Sequence, residues 1–398
     1  MRTFAFGRPG AVCVALVLLG APPAHAAGPP VPGSAAPAAA PADRVLNPLE
    51  CPGVVAAPGG YRLTGDTQCS LEWREDDTVL DLAGHTYTGG IMPFGKRQTV
   101  RNGSLVLGTQ YWANSVGFTL SHLRITSVAT APGGFHIEMG SDSLVENCVL
   151  SGIPGIALSY YFGKRGTVRD SAFLDNGKGI SVQAGGGILI QRNSFRGNNV
   201  GVNVWNERGF LKDVTVQGNV FRDNAFSGVL LNVSGQGPRE HLQNTDVHAN
   251  RFLDNGAAGM YVHLRCGYPD NLQCANTEGN RIRRNVFLGN GHDVPEGTSP
   301  GIDDGLTARM SDTNNTGSFP EELEEFQVTS NIALLNADLG LDVAGVLDGG
   351  RNRALGNGNP AQCDGVECGR PGAGASPTAD HPAAGPATDA GEPAQLRH

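Results

Sequence analysis

Three side chains with acid–base or anion-binding chemistry alternate along one short stretch of the sequence: Tyr261, His263 and Arg265. Successive side chains of a β-strand point to opposite faces, so this spacing places all three on one face. A tyrosine or histidine can transfer a proton there, and an arginine can neutralise a carboxylate. Together they fit a β-elimination, in which a proton is removed beside a uronate carboxylate and the 4-O-linked sugar is lost. The alternative is three solvated side chains.

A pair of adjacent carboxylates, Asp303 and Asp304, is the second group with chemical potential. When the sequence repeats are aligned on their glycines, Asp304 falls at a position that is apolar in the other repeats. Asp342 occupies the position of Asp303 in the next repeat. A lone buried carboxylate is costly unless it is protonated, paired or bound to metal. We therefore predict that Asp303, Asp304 and Asp342 bind Ca²⁺, which prefers oxygen ligands. Two alternatives are open: Asp303 belongs to the acid–base pair of an inverting glycosidase, or 301–305 is a strained turn with Asp304 solvated.

A sequence repeat determines where these residues lie. Segments beginning at Ile190, Val216 and Val247 share one pattern: Asn at +3, Phe at +5, Asn at +8, then a glycine and a short apolar strand. After the glycine, positions +1 and +3 are apolar and +2 is mostly polar, which is typical of a strand with one buried face. The spacing of five residues between the first apolar residue and the Phe position is one residue shorter at Val145/Val149. The aligned glycines are Gly134, Gly155, Gly179, Gly201, Gly228, Gly259, Gly301 and Gly340.

Each repeat is too small to bury a core alone. Repeats must therefore stack, each adding its strands to those of its neighbour. The pattern predicts an all-β solenoid of about nine to ten coils, one coil for each repeat. The recurrent Asn is suited to the bends, because it bonds backbone groups and tolerates the left-handed region, and stacked Asn side chains can form a ladder.

The outward face of the glycine strands is predicted to form the floor of a groove. Adjacent coils, about 4.8 Å apart, present Asn203 and Trp205, then Asn232, then Tyr261 and His263. Polar groups beside flat aromatic rings suit sugars, which have polar edges and apolar faces, so Asn203, Trp205 and Asn232 are assigned to substrate binding. An alternative for Trp205 is that it covers the coil below it.

The loops that follow the glycine strands lengthen along the chain, from 206–212 to 307–326. Growth on one side of a solenoid builds walls along a strand face, and loops of this length are usually functional or disordered. Neutral drift is the alternative, because long surface loops cost little.

The ends of the chain differ from the repeat. Residues 1–26 combine basic residues, an apolar run and an A-x-A site, which predicts a signal peptide and a protein that is secreted, periplasmic or at the cell surface. Residues 27–43 are predicted to be a Pro/Ala-rich linker, residues 44–370 the solenoid with its N-terminal cap, and residues 371–398 a disordered tail. No later apolar run has the length of a membrane span.

Charge and cysteine content narrow the partners and the compartment. A net charge of −9 argues against nucleic acid as a partner, and we expect a monomer. An exported chain can form disulfides. Nearest-neighbour pairing leaves Cys148 as a buried thiol and gives Cys51–Cys69, Cys266–Cys274 and Cys363–Cys368.

Over roughly residues 45–370 the chain resembles the pectate-lyase-like right-handed parallel β-helix proteins. The resemblance rests on the repeated Asn, Phe, Asn and Gly, on Val79–Gly89, which is similar to the "LDLNGHTITG" opening of many secreted bacterial members, and on the Gly-Asn-Gly-Asn-Pro-Ala-Gln that precedes Cys363, similar to their C-terminal cap. It implies a right-handed parallel β-helix whose substrate cleft lies on the glycine strands. It does not select a reaction, because the superfamily includes lyases, hydrolases, epimerases and adhesins.

The hydrolase pattern of this superfamily is incomplete here. Polygalacturonase-like members carry an Asp-Asp pair on the matching strand, but Asn244-Thr-Asp246 lies in a different part of its coil and no Gly-His-Gly follows. We therefore expect binding of an acidic polysaccharide or cell-surface glycan, with β-elimination favoured among the reactions. A non-catalytic glycan-binding or structural protein and an inverting glycoside hydrolase are the alternatives.

Overall fold

Each coil of the chain combines short strands with tight bends, and successive coils pair in parallel. The computed structural model describes residues 45–108, 111–113, 115–128, 137–206, 210–234, 241–266, 277–294, 302–312 and 326–369. The chain divides into Met1–Asp43, which lies outside these residues, and a compact unit Arg44–His398. The predicted signal peptide, linker and tail, and most of the long loops, also lie outside the described residues.

The glycine strands form one parallel sheet, here called the Gly-strand sheet, with ten strands in the described residues. Its strands are Tyr111–Ala113, Ile137–Met139, Ile156–Tyr161, Lys178–Gln183, Val200–Asn206, Ser227–Ser234, Ala258–Cys266, Leu306–Asp312, Leu341–Asp342 and Cys363–Asp364. Nearly every strand pairs with the next coil, which confirms the predicted parallel β-helix.

The other walls of the coils are two rungs that flank each Asn bend. The first rung contains Val79–Asp81, Thr99–Leu107, Thr119–Ser127, Leu144–Glu146, Thr167–Arg169, Leu189–Gln191, Thr215–Gln217, Asp246–His248, Asn280–Arg283, Phe326–Thr329 and Leu347–Asp348. The second rung contains Thr86–Thr88, Val149–Ser151, Ala172–Leu174, Ser194–Arg196, Val220–Arg222, Arg251–Leu253, Val286–Leu288, Ile332–Leu334, Asn352–Leu355 and Cys368–Gly369, and the long strands Thr99–Leu107 and Thr119–Ser127 continue into it.

Shorter elements complete the coils. A corner sheet of three strands follows the middle glycine strands: Gly185–Gly186, Phe210–Lys212 and His241–Gln243. The N-terminal elements are Val45–Leu46, the 3-10 helix Pro48–Glu50, Val54–Ala57, Gly60–Leu63, Thr67–Gln68, Ser70–Trp73 and Ile91–Pro93. Val54–Ala57 and Gly60–Leu63 form the antiparallel pair that begins the stack.

Stacked identical side chains build the core. In the second rung the rings of Phe173, Phe195, Phe221, Phe252 and Phe287 follow one another at 4.8–4.9 Å, nearly parallel, and all are fully buried. The first-rung column is aliphatic and also buried, with Val145, Val168, Ile190, Val216, Val247, Ile282 and Val328. The shorter spacing predicted at Val145/Val149 is wrong. Leu150 and not Val149 pairs with Phe173, so the regular spacing of five residues also applies after Val145.

Two ladders of buried asparagines hold the bends. Asn224 Oδ1 accepts from the backbone N–H and the Nδ2 of Asn198 at 3.1 and 3.0 Å, and its Nδ2 donates to the carbonyl of Phe195 at 3.2 Å and to Asn255 Oδ1 at 2.8 Å. One ladder contains Asn193, Asn219, Asn250, Asn285, Asn331 and Asn352, and the other contains Asn176, Asn198, Asn224, Asn255, Asn290, Asn336 and Asn357. The left-handed residue at each bend is the one before the ladder Asn, for example Asp223 with φ 52°.

The glycine column departs from the sequence alignment in two places. Met260 pairs with Leu306, so Gly305 and not Gly301 occupies the column. Leu158 pairs with Ile180, so the column position in that coil is Ala157 and not Gly155; Gly134 lies outside the described residues. Gly259 shows why small residues are needed here: a Cβ on it would meet the carbonyl oxygen of Gly305 at 2.6 Å.

Two of the three predicted disulfides are confirmed, Cys51–Cys69 near the N-terminal cap and Cys363–Cys368 near the C-terminal end. The Cys266–Cys274 pairing lies outside the described side chains. Cys148 is a buried free thiol, as predicted, and burial raises its pKa to about 12, so it carries no reactive thiolate near neutral pH. None of the described residues forms a helix long and apolar enough to span a bilayer.

Candidate functional site

Five side chains follow one another in register along the outward face of the Gly-strand sheet. They are Gln183, Trp205, Asn232, His263 and Arg309, each the direct partner of the next across parallel strands. All five are half-buried, so each offers part of its surface to solvent. With about 4.8 Å between coils, this outer line extends over roughly 19 Å. It combines amides, an indole, an imidazole and a guanidinium at equal intervals.

A second row of outward side chains, two residues earlier on each strand, is mostly buried. This inner line contains Asn203, Tyr261 and Thr307, with 3 %, 9 % and 0 % of their surface exposed. Asn203 Nδ2 lies 3.5 Å from Ser181 Oγ, a side chain of the preceding coil. The predicted binding residues therefore separate: Trp205 and Asn232 lie on the accessible outer line, whereas Asn203 supports it from below.

Tyr261 and His263 lie on the two lines and stack on each other. Their ring centroids are 5.5 Å apart with an interplanar angle of 10°. Phe226 approaches the Tyr261 ring edge-on at 6.1 Å, and Tyr261 also packs in a small apolar cluster with Ala257 and Ile302. This packing fixes the orientation of the phenol and, through it, of the imidazole. The strand also places Arg265 two residues beyond His263, but the Arg265 side chain lies outside those described.

Arg309 is a site residue that the sequence alignment missed. It is the register partner of His263, and its Nη2 donates to Asp342 Oδ2 at 3.0 Å in a partly buried ion pair. With Gly305 in the glycine column, Leu306 and Ala308 fill the two core positions and the column contains no carboxylate. Asp304, the one carboxylate among apolar residues in the repeat alignment, therefore indicated a wrong register. Aligning Gly305 with the other glycines would have placed Leu306 and Ala308 at the core positions.

Asp304 is a buried carboxylate at the bend before this strand. Only 1 % of its surface is exposed, which rules out the solvated alternative. Its Oδ2 accepts from Thr307 Oγ1 at 2.8 Å and its Oδ1 accepts from the backbone N–H of Leu339 at 2.8 Å. Burial, with smaller contributions from the charges of Asp342 and Asp303, raises the pKa of Asp304 to about 7. Asp304 therefore joins two successive coils and is partly protonated near neutral pH.

The carboxylates differ from the predicted cation set in one member. Oxygens of Asp303, Asp304 and Asp338 lie within 4.8 Å of one another. Asp342 is the register partner of Thr307, not of Asp303, and its carboxylate is engaged by Arg309. Three carboxylates at this separation fit the hard oxygen ligands that Ca²⁺ takes, although Asp304 also uses both oxygens within the chain.

Asn232 carries a buried acceptor on the outer line that the described residues leave unpaired. Its Oδ1 is buried and has no hydrogen-bond donor among them. Buried polar atoms are usually paired, so this unpaired acceptor is an exception among the described side chains of the sheet. Asn232 lies between Trp205 and His263, at the centre of the outer line.

Several solved structures are similar to this chain. A double mutant of the periplasmic alginate epimerase AlgG has 13% identity, covers 79% of this chain and 78% of that chain, and gives a TM-score of 0.45. The family 28 exopolygalacturonase of Yersinia enterocolitica has 12% identity, coverages of 79% and 74%, and a TM-score of 0.44. A tailspike protein of an E. coli bacteriophage has 14% identity, coverages of 77% and 67%, and a TM-score of 0.44.

No curated protein matches the chain. The profile of the family described as right handed beta helix region matches residues 108–316, just over half of the sequence. The chain thus belongs to the right-handed parallel β-helix family.

Proposed function

We propose that this protein binds an acidic polysaccharide along the outer line of the Gly-strand sheet. The observation that carries the proposal is the run of polar and aromatic side chains from Gln183 to Arg309, set at equal spacing on successive coils. A regular row of this kind suits a ligand that is itself linear and repetitive. A polysaccharide has that form, and its sugar units offer hydroxyl edges to amides and apolar faces to the Trp205 ring.

The chemistry of the line changes along its length. Gln183 and Asn232 are half-buried amide side chains, and amides suit hydrogen bonds with sugar hydroxyls. Toward the C-terminal end, His263 provides an imidazole and Arg309 a guanidinium, whose planar set of N–H donors suits a carboxylate. The preference for an acidic glycan rests on these two residues.

β-Elimination is a second candidate function, and one observation favours it. His263 is stacked on Tyr261 and is the register partner of Arg309, so a potential base lies beside a group that can bind a uronate carboxylate. Arg309 then has the role first assigned to Arg265. We assign no hydrolytic role to Asp303 and Asp304, because Asp304 is buried and uses both oxygens within the chain.

The compartment follows from the disulfides and the N-terminal sequence. Cys51–Cys69 and Cys363–Cys368 form and persist in an oxidising environment. Together with the signal-like residues 1–26, they support action in the periplasm, at the cell surface or outside the cell.

The test is a panel of soluble polysaccharides with three readouts. Purified protein is titrated with polygalacturonate, alginate and neutral dextran, and each mixture is followed by ultraviolet absorbance for unsaturated ends and by a reducing-sugar assay. We expect binding to a polyuronate, weakened by salt, and little binding to dextran. Absorbance growth adds lyase activity, reducing ends alone indicate a hydrolase, and neither indicates a binding protein. Failure to bind any polyuronate would reject the proposed function.

A further inference from the structure

A cavity of about 1030 Å³ lies on a different wall of the coils, at the corner sheet. Its lining includes Phe162 and Lys164 from one coil, Gly185–Gly187 from the next, and Phe210 and Lys212 from the one after. We call this cavity the notch. Its lining contains no residue of the outer line, so it is a separate surface.

The glycines create the notch by removing one layer of side chains. Lys164, Gly186 and Lys212 are register partners in three successive coils. A Cβ on Gly186 would lie 2.5 Å from the carbonyl oxygen of Lys212, so no larger residue fits there without a shift of the backbone. The coils on either side are about 10 Å apart, two strand spacings, and their side chains form the two walls of the gap.

Both walls expose a phenylalanine. Phe162 and Phe210 have 54 % and 56 % of their surface in contact with solvent, a costly placement for apolar rings in a surface without a partner. Phe210 is held by stacking on His241 at 4.7 Å, and Phe162 by edge contact with Tyr161 at 4.4 Å. These contacts orient the two rings, and their exposed parts offer apolar surface to a ligand.

Both walls also carry an exposed lysine, and the chain has only four lysines. In the described part of the chain neither Lys164 nor Lys212 takes part in an ion pair, whereas the neighbouring Arg165 is neutralised by Asp142. Asp213, the one carboxylate of the lining, accepts a hydrogen bond from Asn244 Nδ2 at 3.1 Å. With Arg165 paired to Asp142, the two lysines outnumber Asp213, so the notch has a small excess of positive charge on a protein whose net charge is −9.

We propose that the notch is a second binding site, which takes a short acidic oligosaccharide. The Phe162 and Phe210 faces cover apolar faces of sugar rings, and the Lys164 and Lys212 ammonium groups pair with carboxylates. The same Phe-x-Lys spacing on both sides of the glycine layer matches a ligand whose units repeat an apolar ring and an anionic group. A neutral glycan has only one half of this complementarity.

The test counts binding sites by calorimetry with a short oligogalacturonate. We expect wild-type protein to bind two molecules and the Lys164→Gln/Lys212→Gln double variant to bind one, with the affinity of the remaining site unchanged. Lys96→Gln, which removes an exposed lysine far along the chain, is the matched control and should retain both sites. Phe162→Ser/Phe210→Ser should weaken the same site at least roughly tenfold, about 1.4 kcal/mol.

The outcomes separate the notch from the outer line. Two sites in the lysine double variant, or equal binding of a neutral oligosaccharide at the notch, would overturn the second site. If a single wild-type site is abolished by Trp205→Ala and not by the lysine double variant, the notch proposal fails and the proposed function stands. The opposite pattern supports the notch and rejects the outer line. Competition with phosphate and with galacturonate tests for sugar recognition. If phosphate displaces the oligogalacturonate from the notch as effectively as galacturonate does, the notch is an anion site without sugar recognition and the proposal is overturned.

Discussion

Replacing Asp304 by Asn tests how the charge of this buried carboxyl affects the stability of the folded protein. The carboxyl is buried and faces Asp303, Asp338 and Asp342, and the nearby cation Arg309 is already bound to Asp342. Asn has the same shape and keeps an acceptor for the Leu339 N–H, while its amide can donate to the Thr307 hydroxyl. The substitution therefore removes the charge and keeps a partner for Thr307 in the same coil and for Leu339 in the next coil.

The magnitude follows from the pKa. Burial raises the pKa of Asp304 from 3.8 to about 7 in the folded protein. A raised pKa means that the folded state holds the proton more tightly, so the stabilisation is complete below pH ~4 and is lost as the pH rises through ~7. At about 1.4 kcal/mol for each pKa unit, the loss amounts to roughly 4 kcal/mol. Relative to wild type, Asp304→Asn should gain stability over that range and be constant outside it.

The assay is urea unfolding from pH 3 to pH 9, followed by circular dichroism, for wild type and Asp304→Asn. Asp175→Asn, the same substitution at an exposed carboxylate, is the control and should run parallel to wild type. If the stability difference between wild type and Asp304→Asn does not change with pH, the carboxyl is not perturbed and the reasoning fails.

A calcium arm of the same assay tests the predicted cation site. Ca²⁺ at about 100 times its Kd stabilises a protein that binds it only when folded by roughly 2.7 kcal/mol. At pH 8 we expect this gain in wild type and not in Asp304→Asn. A pH effect without any response to Ca²⁺ or chelator would leave Asp304 as a structural link between coils and reject the cation site.

Two further substitutions test the fold that carries the site, each by thermal and urea unfolding. Val204→Asp places an unpaired charge in the fully buried face of the Gly-strand sheet and should cost several kcal/mol; a melting curve like that of wild type would contradict the register. Asn224→Ala removes four side-chain hydrogen bonds in the ladder, at a net value of about 1 kcal/mol each. It should therefore lower the free energy of unfolding by roughly 4 kcal/mol, whereas the exposed control Asn199→Ala should change it little. Equal effects of the two substitutions would show that the ladder hydrogen bonds do not stabilise the fold.

The repeat made the fold predictable, because rungs, bends and glycine strands recur with a fixed chemistry. Phe195, Phe221 and Phe252 stack as their spacing indicates, and the Asn residues form the expected ladders. The register of the Gly-strand sheet was correct wherever one glycine stood at the right distance. It failed in two coils. Gly301 and Gly305 both precede apolar residues, and only the close approach of neighbouring backbones selects Gly305. In the other coil an alanine, Ala157, occupies the position, and the nearby Gly155 was assigned to it instead.

The candidate site was harder to predict from the sequence, because it depends on which residues of neighbouring coils lie beside one another. The slip of four residues hid Arg309 and placed Asp303 in the column of Tyr261 and Asp342, where Thr307 lies. Asp338 joins Asp303 and Asp304 through the stacking of coils, and no local spacing indicates this. The notch was missed for a similar reason: its floor is a glycine layer, and Phe162 and Phe210 are 48 positions apart in the chain.

The central claim, that the outer line binds an acidic polysaccharide, is tested most directly by the affinity of Trp205→Ala for the polyuronate that wild type binds. Trp205 is half-buried on an accessible face, so its removal costs some packing energy, and circular dichroism with a melting curve establishes that the variant is folded. Phe94→Ala, which truncates an exposed aromatic elsewhere, is the matched control. We predict a loss of affinity of roughly tenfold or more at the outer line for Trp205→Ala and none for Phe94→Ala. Wild-type affinity of a folded Trp205→Ala protein would contradict the claim.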